Sequence, residues 1–248
     1  MAEITVSIVS HGHGSLLPDL LTDLSLCPEV DEVILIRNIP EPSIAISTPI
    51  RLSIIENPKP IGFGANHNAA FQMVKTPYFV VLNPDIRLDE NPFPTLLKCM
   101  QSDDSALCAP AVVNPAGGLE DSARHFPTSF GLAKKALFRC KGRLLYDLGS
   151  PPMPVPWVAG MFMLIRSSDY IALNGFDENY FLYYEDVDLC ARLWESGRKV
   201  VLCPSVHVIH DARRESHRNF KYMLWHMTSM ARYFFKHAAY AFNLRNIS

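Results

Sequence analysis

Two groups of acidic residues stand where an enzyme could use them. The sequence Leu82-Asn83-Pro84-Asp85 directly follows an apolar run, and in open parallel sheets ligands bind beyond the carboxyl ends of the strands. A carboxylate there could hold a divalent cation that bridges to the oxygens of a diphosphate. Asn, Pro and Asp are also common turn residues, so the motif alone leaves an ordinary turn equally open.

The second acidic group, Glu185, Asp186 and Asp188, opens a predicted helix. Simple capping explains one or two acids in a first helical turn, because the helix dipole favours them there. Capping does not explain the aromatic segment before the helix, whose rings would line a pocket suited to sugars. These rings belong to Phe176, Tyr180, Phe181, Tyr183 and Tyr184. Three carboxylates beside an aromatic wall predict an acid/base site.

Two further motifs carry weaker signals. His207 and His210 precede Asp211, and neutral imidazole is a common metal ligand, although a histidine near a strand end is more often structural. The glycines at 62–68 would let the backbone approach a ligand, and the following helix N-terminus would favour an anion. That turn lacks both the Lys-Ser/Thr ending of a P-loop and the dinucleotide fingerprint.

Alternating hydrophobic patterns predict the elements that must position these residues. The predicted strands cover 4–9, 33–36, 52–55, 78–82, 106–113, 157–165 and 199–203. The predicted helices cover 16–26, 64–75, 167–173, 185–196 and 216–241. This order predicts an α/β fold with a mostly parallel sheet flanked by helices. The turn-rich segment 114–156, with one weak helix near 130–138, is expected to form a binding wall or a lid.

Composition restricts the class of protein. The 248 residues are 48% hydrophobic and carry 25 acidic and 23 basic side chains, which suits a large core and argues against a dedicated nucleic-acid binder. The six cysteines form no C-x-x-C pair, so we expect buried free thiols. There is no signal-peptide pattern and no apolar run of about 20 residues. We therefore expect a cytoplasmic protein, or one that lies on a membrane surface.

Taken in order, the motifs resemble glycosyltransferase family 2, whose members are inverting enzymes with a GT-A fold. The resemblance spans residues 4 to 236. Within the family, the form Asn83-Pro84-Asp85 and the run 184–189 look most similar to bacterial rhamnosyltransferases, which build O-antigen or cell-wall glycans from dTDP-rhamnose. The matching stretches are 7–11, 62–68, 82–85, 175–177 and 184–190.

The resemblance implies a role for each matching residue of the catalytic and metal sites. Asp186 matches the catalytic base, with Glu185 as its neighbour on the acceptor side. Asp85 matches the aspartate that binds a divalent cation, Mg²⁺ or Mn²⁺. His210 would complete that metal site, and His207 is the less favoured choice. The implied reaction is a single displacement in which Asp186 takes the proton of the acceptor hydroxyl.

Other matching residues are implied in substrate binding. Asn38 stands where many members have an aspartate that reads the nucleobase, so the sequence departs from the family there. Asn83 replaces the first aspartate of the D-x-D-like motif and is expected to contact the donor. The residues implied in nucleotide-sugar binding are Ser10, Asn38, Gly64, Asn68, Asn83 and Asp85. The residues implied at the acceptor or donor sugar are Trp157 and Gly160.

The expected partners are a nucleotide diphosphate sugar, best dTDP-rhamnose, and a glycan or lipid-linked acceptor, without nucleic acid. We expect a GT-A domain at 1–212 and a helical extension at 213–248. The apolar residues of that extension recur at helical spacing. They would either pack on the domain or, with flanking Lys and Arg side chains, contact a membrane.

Two other functions compete with transfer. A nucleotidyltransferase that makes sugar nucleotides would need an Arg-containing glycine-rich loop after the first strand, and residues 10–14 hold no arginine. A binding protein with a degenerate transferase fold is the second rival. The presence of both Asp85 and Asp186 argues against it.

Overall fold

The computed structural model describes residues 2–42, 48–127, 144–211 and 220–238. Within these ranges the strands are β1 (Ile4–Ser10), β2 (Val30–Arg37), β3 (Arg51–Glu56), β4 (Tyr78–Leu82), β5 (Ile86–Arg87), β6 (Ser105–Val113), β7 (Ala123–Arg124), β8 (Met153–Pro154), β9 (Trp157–Val158), β10 (Phe162–Arg166) and β11 (Lys199–His210). The helices are α1 (Leu17–Ser25), α2 (Phe63–Phe71), α3 (Phe93–Asp103), α4 (Ser167–Ala172), α5 (Glu185–Glu195) and α6 (Phe220–Lys236), with a 3₁₀ turn at Gly14–Leu16.

The described part of the chain is organised around one nine-stranded sheet. Its order is β3-β2-β1-β4-β10-β6-β11-β5, and β8 pairs with β11. The pairs β1–β2, β2–β3, β1–β4 and β6–β11 are parallel, whereas β10 runs antiparallel between β4 and β6. A small second sheet pairs β7 with β9. The predicted α/β class with a mostly parallel, helix-flanked sheet is confirmed.

The core lies on both faces of the large sheet. In β4, Val80 and Leu82 pack into one buried cluster, and Phe79 and Val81 pack into another, because successive side chains of a strand point to opposite faces. Helices α1 and α3 cover the first face. Helices α4 and α5 supply side chains to the second. Five cysteines are buried free thiols, as expected, namely Cys27, Cys99, Cys108, Cys190 and Cys203.

The sequence missed α3 altogether. Its buried residues Phe93, Leu96, Leu97 and Met100 have helical spacing, so the signal was present. The helix begins after Pro92, which is compatible with a helix start because that position needs no backbone donor. This helix fills the first face of the sheet beside β6 and β11.

Other boundaries differ from the predictions for local reasons. The strand predicted at 157–165 is divided into β9 and β10 by a turn that contains Gly160. The strand predicted at 199–203 continues to His210, with a register shift between Cys203 and His207, where Pro204 cannot donate a ladder hydrogen bond. The predicted weak helix near 130–138 lies outside the described residues.

Helix α6 packs on α5. Its buried side chains Ser229 and Tyr233 lie toward the domain, and Tyr233 joins a cluster with Tyr180 and Val187. Among the described residues, no helix combines the length and the apolarity needed to cross a membrane. The proposed division at residue 212 stays a prediction.

Candidate active site

A pocket opens beyond the carboxyl ends of β1, β2 and β4, the edge where the sequence predicted ligand binding. Its floor comes from these strand ends, and one wall comes from the segment before α5 and from α6. The lining residues are Val9, His11, His13, Asn38, Ile61, Phe63, Asn83, Pro84, Asp85, Phe181, Leu182, Tyr222 and Trp225.

Asp85 and His210 meet at this edge because β5 pairs antiparallel with the end of β11. His210 Nε2 lies 3.1 Å from Asp85 Oδ2, and His210 Nδ1 lies 2.6 Å from Glu120 Oε2. Burial alone would lower the pKa of His210, but the hydrogen bonds to the two carboxylates raise it to about 9. Glu120 was not predicted, because it lies in the turn-rich segment 90 positions from His210 and no local pattern marks it.

The arrangement of Asp85 fits a cation ligand. Its Oδ1 is buried and has no hydrogen-bond partner, which is costly unless another group compensates. Among the described residues, no three His, Cys, Asp or Glu side chains are arranged to hold a metal by themselves. A cation at Asp85 and His210 would therefore need further oxygen ligands, such as those of a diphosphate and water. His207 instead contacts Asp89 at 3.2 Å.

Asp186 occupies the first turn of α5, a helix that begins directly after two residues with left-handed backbone. Tyr183 and Tyr184 both have φ of 67°, a conformation that costs energy for non-glycine residues and often occurs at functional sites. The carboxylate is partly exposed. Its Oδ2 accepts the backbone N–H of Gly160 at 3.0 Å, and its Oδ1 accepts that of Val187 at 2.8 Å. Loss of hydration raises the pKa of Asp186, and these N–H donors oppose the rise.

The other two carboxylates of the predicted cluster have different surroundings. Asp188 is fully buried and pairs with Arg192, Lys236 and His237. Burial would raise the pKa of Asp188, but its charged partners lower it to about 2. The prediction of three carboxylates at one acid/base site is therefore wrong for Asp188, which links α5 to α6.

Glu185 is buried, and its Oε2 has no partner. Loss of hydration and the charge of Asp186 raise the pKa of Glu185 well above the usual carboxyl range. A neutral carboxyl group is the form that such an environment favours. Its role on the acceptor side stays a prediction.

The aromatic wall is only partly formed as predicted. Phe176 and Tyr180 are buried core residues and do not line the pocket. Phe181 lines the pocket and stacks on Trp225, with ring centroids 4.5 Å apart. Tyr184 contacts the ring of His226. The sequence missed Trp225 and Tyr222 as pocket residues because no local pattern shows which domain surface a distant helix covers.

Trp157 and Gly160 do not line the pocket, although Gly160 lies between the pocket residue Phe63 and Asp186. The half-buried Trp157 donates its indole N–H to the His125 carbonyl at 3.0 Å, and the Arg124 guanidinium lies 5.8 Å from the Trp157 ring centroid. A Cβ added at Gly160 would lie 3.2 Å from the Phe63 ring. Glycine at position 160 therefore allows the turn to pass close to both Phe63 and Asp186.

Ser10 and Asn38 lie beside the pocket, but their polar groups have protein partners. Ser10 Oγ donates to the Glu41 carboxylate at 2.7 and 2.8 Å. Asn38 Oδ1 accepts Asn57 Nδ2 at 2.9 Å and the Ile61 N–H at 3.0 Å. Asn38 thus holds the loop that shapes the pocket. Its contact with a nucleobase stays a prediction.

Gly64 and Asn68 have packing roles away from the pocket lining. A Cβ at Gly64 would lie 2.6 Å from Phe176 Cβ, so glycine lets α2 pack against that residue. Asn68 Oδ1 accepts the Tyr170 hydroxyl at 2.6 Å and the Phe176 N–H at 2.9 Å, and its Nδ2 donates to the Phe176 carbonyl. Gly64 and Asn68 thus fix the segment that leads to α5, and their contact with a nucleotide stays a prediction.

Comparison with known proteins supports the resemblance seen in the motifs. The model described as glycosyl transferase family 2 matches residues 6–170, and one described as the N-terminal domain of galactosyltransferase matches residues 146–218. Rhamnosyltransferase WbbL of Escherichia coli K12 is 33% identical over 93% of this chain and 92% of its own length.

In two further comparisons the match extends over about half of the length of the other protein. The N-acetylglucosaminyl-diphospho-decaprenol L-rhamnosyltransferase of Mycobacterium tuberculosis is 30% identical over 57% of this chain and 49% of its own length. The crystal structure of GalNAc-T7 with UDP, GalNAc and Mn²⁺ superposes with a TM-score of 0.64 at 16% identity, over 87% of this chain and 45% of that one. The structural match shows a shared GT-A fold, and the family model and WbbL show that the chain belongs to glycosyltransferase family 2.

Proposed function

We propose that the chain transfers rhamnose from dTDP-rhamnose to a hydroxyl of a glycan or lipid-linked acceptor during synthesis of a cell-surface polysaccharide. The observation that carries the proposal is one backbone turn between β9 and β10. The Met161 carbonyl accepts the Asn83 N–H at 2.9 Å, two residues before Asp85. The neighbouring Gly160 N–H donates to Asp186 at 3.0 Å. The turn thus links the strand end that carries Asp85 to Asp186, the two carboxylates that this proposal assigns to the leaving group and to the base.

On this proposal, Asp186 is the base. An acceptor hydroxyl attacks the anomeric carbon of the donor, and Asp186 accepts its proton as the bond to the leaving diphosphate breaks. A carboxylate is basic enough for this step because the hydroxyl becomes acidic as it attacks. The two backbone donors keep the carboxylate oriented, and orientation is a large part of general base catalysis.

Asp85 and His210 are the proposed ligands of a divalent cation, Mg²⁺ or Mn²⁺. A bound cation would supply positive charge against the leaving diphosphate. The unpartnered, buried Oδ1 of Asp85 supports this assignment. Glu120 would then act as the second partner of the imidazole and orient His210, as carboxylates commonly do for metal-bound histidines.

The substrate assignment depends on the names of the relatives. WbbL is a rhamnosyltransferase, and the mycobacterial relative is named for an N-acetylglucosaminyl-diphospho-decaprenol acceptor. For this chain, we propose that the nucleotide sugar binds in the pocket under Phe181 and Trp225. The acceptor sugar would lie at Trp157, because an aromatic face suits the apolar face of a sugar ring. The proposed place of reaction is the cytoplasm, at the inner face of the cell membrane.

The test is a thermal-shift series followed by a turnover assay. A ligand at about 100 times its Kd adds about 2.7 kcal/mol of stability. We expect a shift with dTDP and dTDP-rhamnose that requires Mg²⁺ or Mn²⁺ and is lost in Asp85→Asn, but kept in the control Asp147→Asn, which changes an exposed carboxylate elsewhere. A preference for UDP or GDP would disprove the rhamnose donor and retain transfer. Nucleotide binding without sugar transfer to any acceptor would instead favour the binding-protein alternative.

A further inference from the structure

Helix α6 carries its large apolar side chains on the face that points away from the domain. Phe220, Met223, Leu224 and Met227 are 73%, 57%, 55% and 53% exposed. Their spacing of i, i+3, i+4 and i+7 forms one stripe along the helix. Phe235, 89% exposed, lies two turns further along the same side. Soluble proteins seldom leave such a contiguous stripe uncovered unless it has a binding partner.

The inward face of the same helix has different chemistry. Ser229 and His237 are buried there, with the Ser229 hydroxyl bonded to the Leu182 carbonyl at 2.9 Å. Lys236 turns inward to Asp177 and Asp188 at 2.6 and 2.8 Å. These polar contacts, together with the aromatic packing of Tyr233 and Trp225, fasten α6 to the domain, and the apolar stripe lies on the opposite face. The sequence left open whether the apolar residues of this helix pack on the domain or contact a membrane, and the residues of the stripe stay largely exposed.

The positive charge of α6 favours an anionic partner for the stripe. Its described residues contain no Asp or Glu, and the side chains of Lys221 and Arg232 fall on one flank of the stripe at helical spacing. Lys221 Nζ also lies 4.9 Å from the centroid of the Trp225 ring. Apolar side chains flanked by cations are typical of helices that lie in the interface of an anionic bilayer. A second copy of the same face would place these cations near each other, which disfavours a symmetric dimer.

The outward stripe of α6 lies close to the pocket. Tyr222 and Trp225, on the side of α6 that faces the domain, line the pocket, while Met223 and Leu224 between them point outward. A surface bound to the stripe would therefore lie within one helix diameter, roughly 10 Å, of the pocket wall.

We propose that the outward stripe of α6, formed by Phe220, Met223, Leu224 and Met227, docks on the surface of an anionic phospholipid bilayer and holds the pocket beside it. The use of this docking for a lipid-linked acceptor rests on the proposed function, whereas the docking itself does not. The helix lies in the plane of the membrane, with Arg232 at the level of the headgroups.

The experiment is flotation of the full chain with vesicles. The probes are vesicles of phosphatidylethanolamine with phosphatidylglycerol and vesicles of phosphatidylcholine alone. The test variant is Met223→Gln, Leu224→Gln and Met227→Gln together, since glutamine keeps a high helix propensity. The matched control is Leu26→Gln, Leu145→Gln and Ile171→Gln, which removes three side chains that are 75%, 89% and 62% exposed elsewhere.

We expect the wild type and the control to float with the anionic vesicles and the test variant to lose about tenfold or more of its bound fraction, because binding scales with buried apolar area. Arg232→Glu should weaken binding to anionic vesicles and leave the little binding to phosphatidylcholine unchanged. Equal flotation of test and control variants would overturn the proposal. The proposal would also be overturned if light scattering showed that the test variant had lost a dimer while its flotation was unchanged.

A second readout separates this proposal from the proposed function. The dTDP-induced thermal shift should be the same in wild type and test variant, because the three side chains point away from the pocket. Normal flotation without any nucleotide shift would retain the docking and disprove the donor assignment. A normal shift without flotation of the wild type would disprove only the docking.

Discussion

Asp186 and Asp188 stand two residues apart on α5 and have opposite environments. Asp186 is partly exposed and is held by the backbone N–H groups of Gly160 and Val187. Asp188 is fully buried among three cationic side chains. The pKa is raised for Asp186 and lowered to about 2 for Asp188. A carboxylate that must take a proton needs neutral hydrogen-bond donors, whereas one that joins two helices is stabilised by ion pairs.

The largest effect should come from removing the exposed member of this pair. Asp186→Asn keeps the shape of the side chain but cannot act as a base, and its single amide oxygen can accept only one of the two backbone N–H groups, that of Gly160 or that of Val187. We expect turnover to fall by about 100- to 10,000-fold, the usual contribution of a general base. The melting temperature should hardly change, because no ion pair is lost. The measurement is the initial rate of sugar transfer at saturating donor.

Glu178→Gln is the matched control for that variant. Glu178 is an exposed acid in the same turn region, and its contact with Asn68 Nδ2 can be kept by the amide oxygen of glutamine. Its rate should match the wild type. If Asp186→Asn also kept a near-normal rate, the base would have to be another residue. The different environments of Asp186 and Asp188 would then be unrelated to catalysis.

Asp188→Asn should instead affect stability. It leaves Arg192, Lys236 and His237 without their common counter-charge in a buried site. Breaking one side of a buried ion pair costs about 3–5 kcal/mol, and Asp177 and Glu195 would compensate part of this by their own contacts with Lys236 and His237. We expect a loss near the low end of that range in urea unfolding. Transfer activity should persist at a temperature where the variant is folded, and its selective loss without destabilisation would contradict this division of roles.

The sequence alone indicates Asp186 as a candidate base but not the different environment of Asp188. Both carboxylates belong to one acidic run, and local pattern identifies a helix start without telling which side chain meets a distant partner. The partners of Asp188 at the end of α6 and just after it, Lys236 and His237, are 48 and 49 residues away. The same limitation hid Glu120, which reaches His210 only because residues 113 and 119 form a β-bridge.

Elements whose sequence pattern has a local physical cause were predicted well. The strand at Tyr78–Leu82 is a continuous apolar run, as expected for a strand buried on both faces. The strand at Ile4–Ser10 is rich in β-branched residues, which favour strands. The helix predicted at 167–173 is confirmed as Ser167–Ala172, and it ends just before Asn174 and Gly175, which both have positive φ. For the outward stripe of α6 the sequence left two alternatives open, because apolar spacing marks one face of a helix without showing whether that face packs on the same chain.

The smallest predicted effect is a pH dependence of the link between α5 and α6. Burial would lower the pKa of His237, but its hydrogen bonds to Asp188 and Glu195 raise it. Because the folded-state pKa lies above the unfolded value of about 6.5, the protonated imidazole stabilises the fold below that pH. This contribution is lost as the pH rises from about 6.5 through the folded-state pKa, with a slope of at most about 1.4 kcal/mol per pH unit for one group.

Urea unfolding between pH 6 and pH 9 measures this loss. His210, whose pKa is raised to about 9, adds a loss of the same sign, so the comparison must be between variants. His237→Gln should flatten part of the decline, while His207→Gln, on the partly exposed side of β11, should leave it unchanged. Equal pH profiles for wild type and His237→Gln would mean that the charge on Asp188 is balanced by Arg192 and Lys236 alone. The contact between α5 and α6 would then be independent of pH. The environment of Asp188 would differ from that of Asp186 only through its permanently charged partners, Arg192 and Lys236.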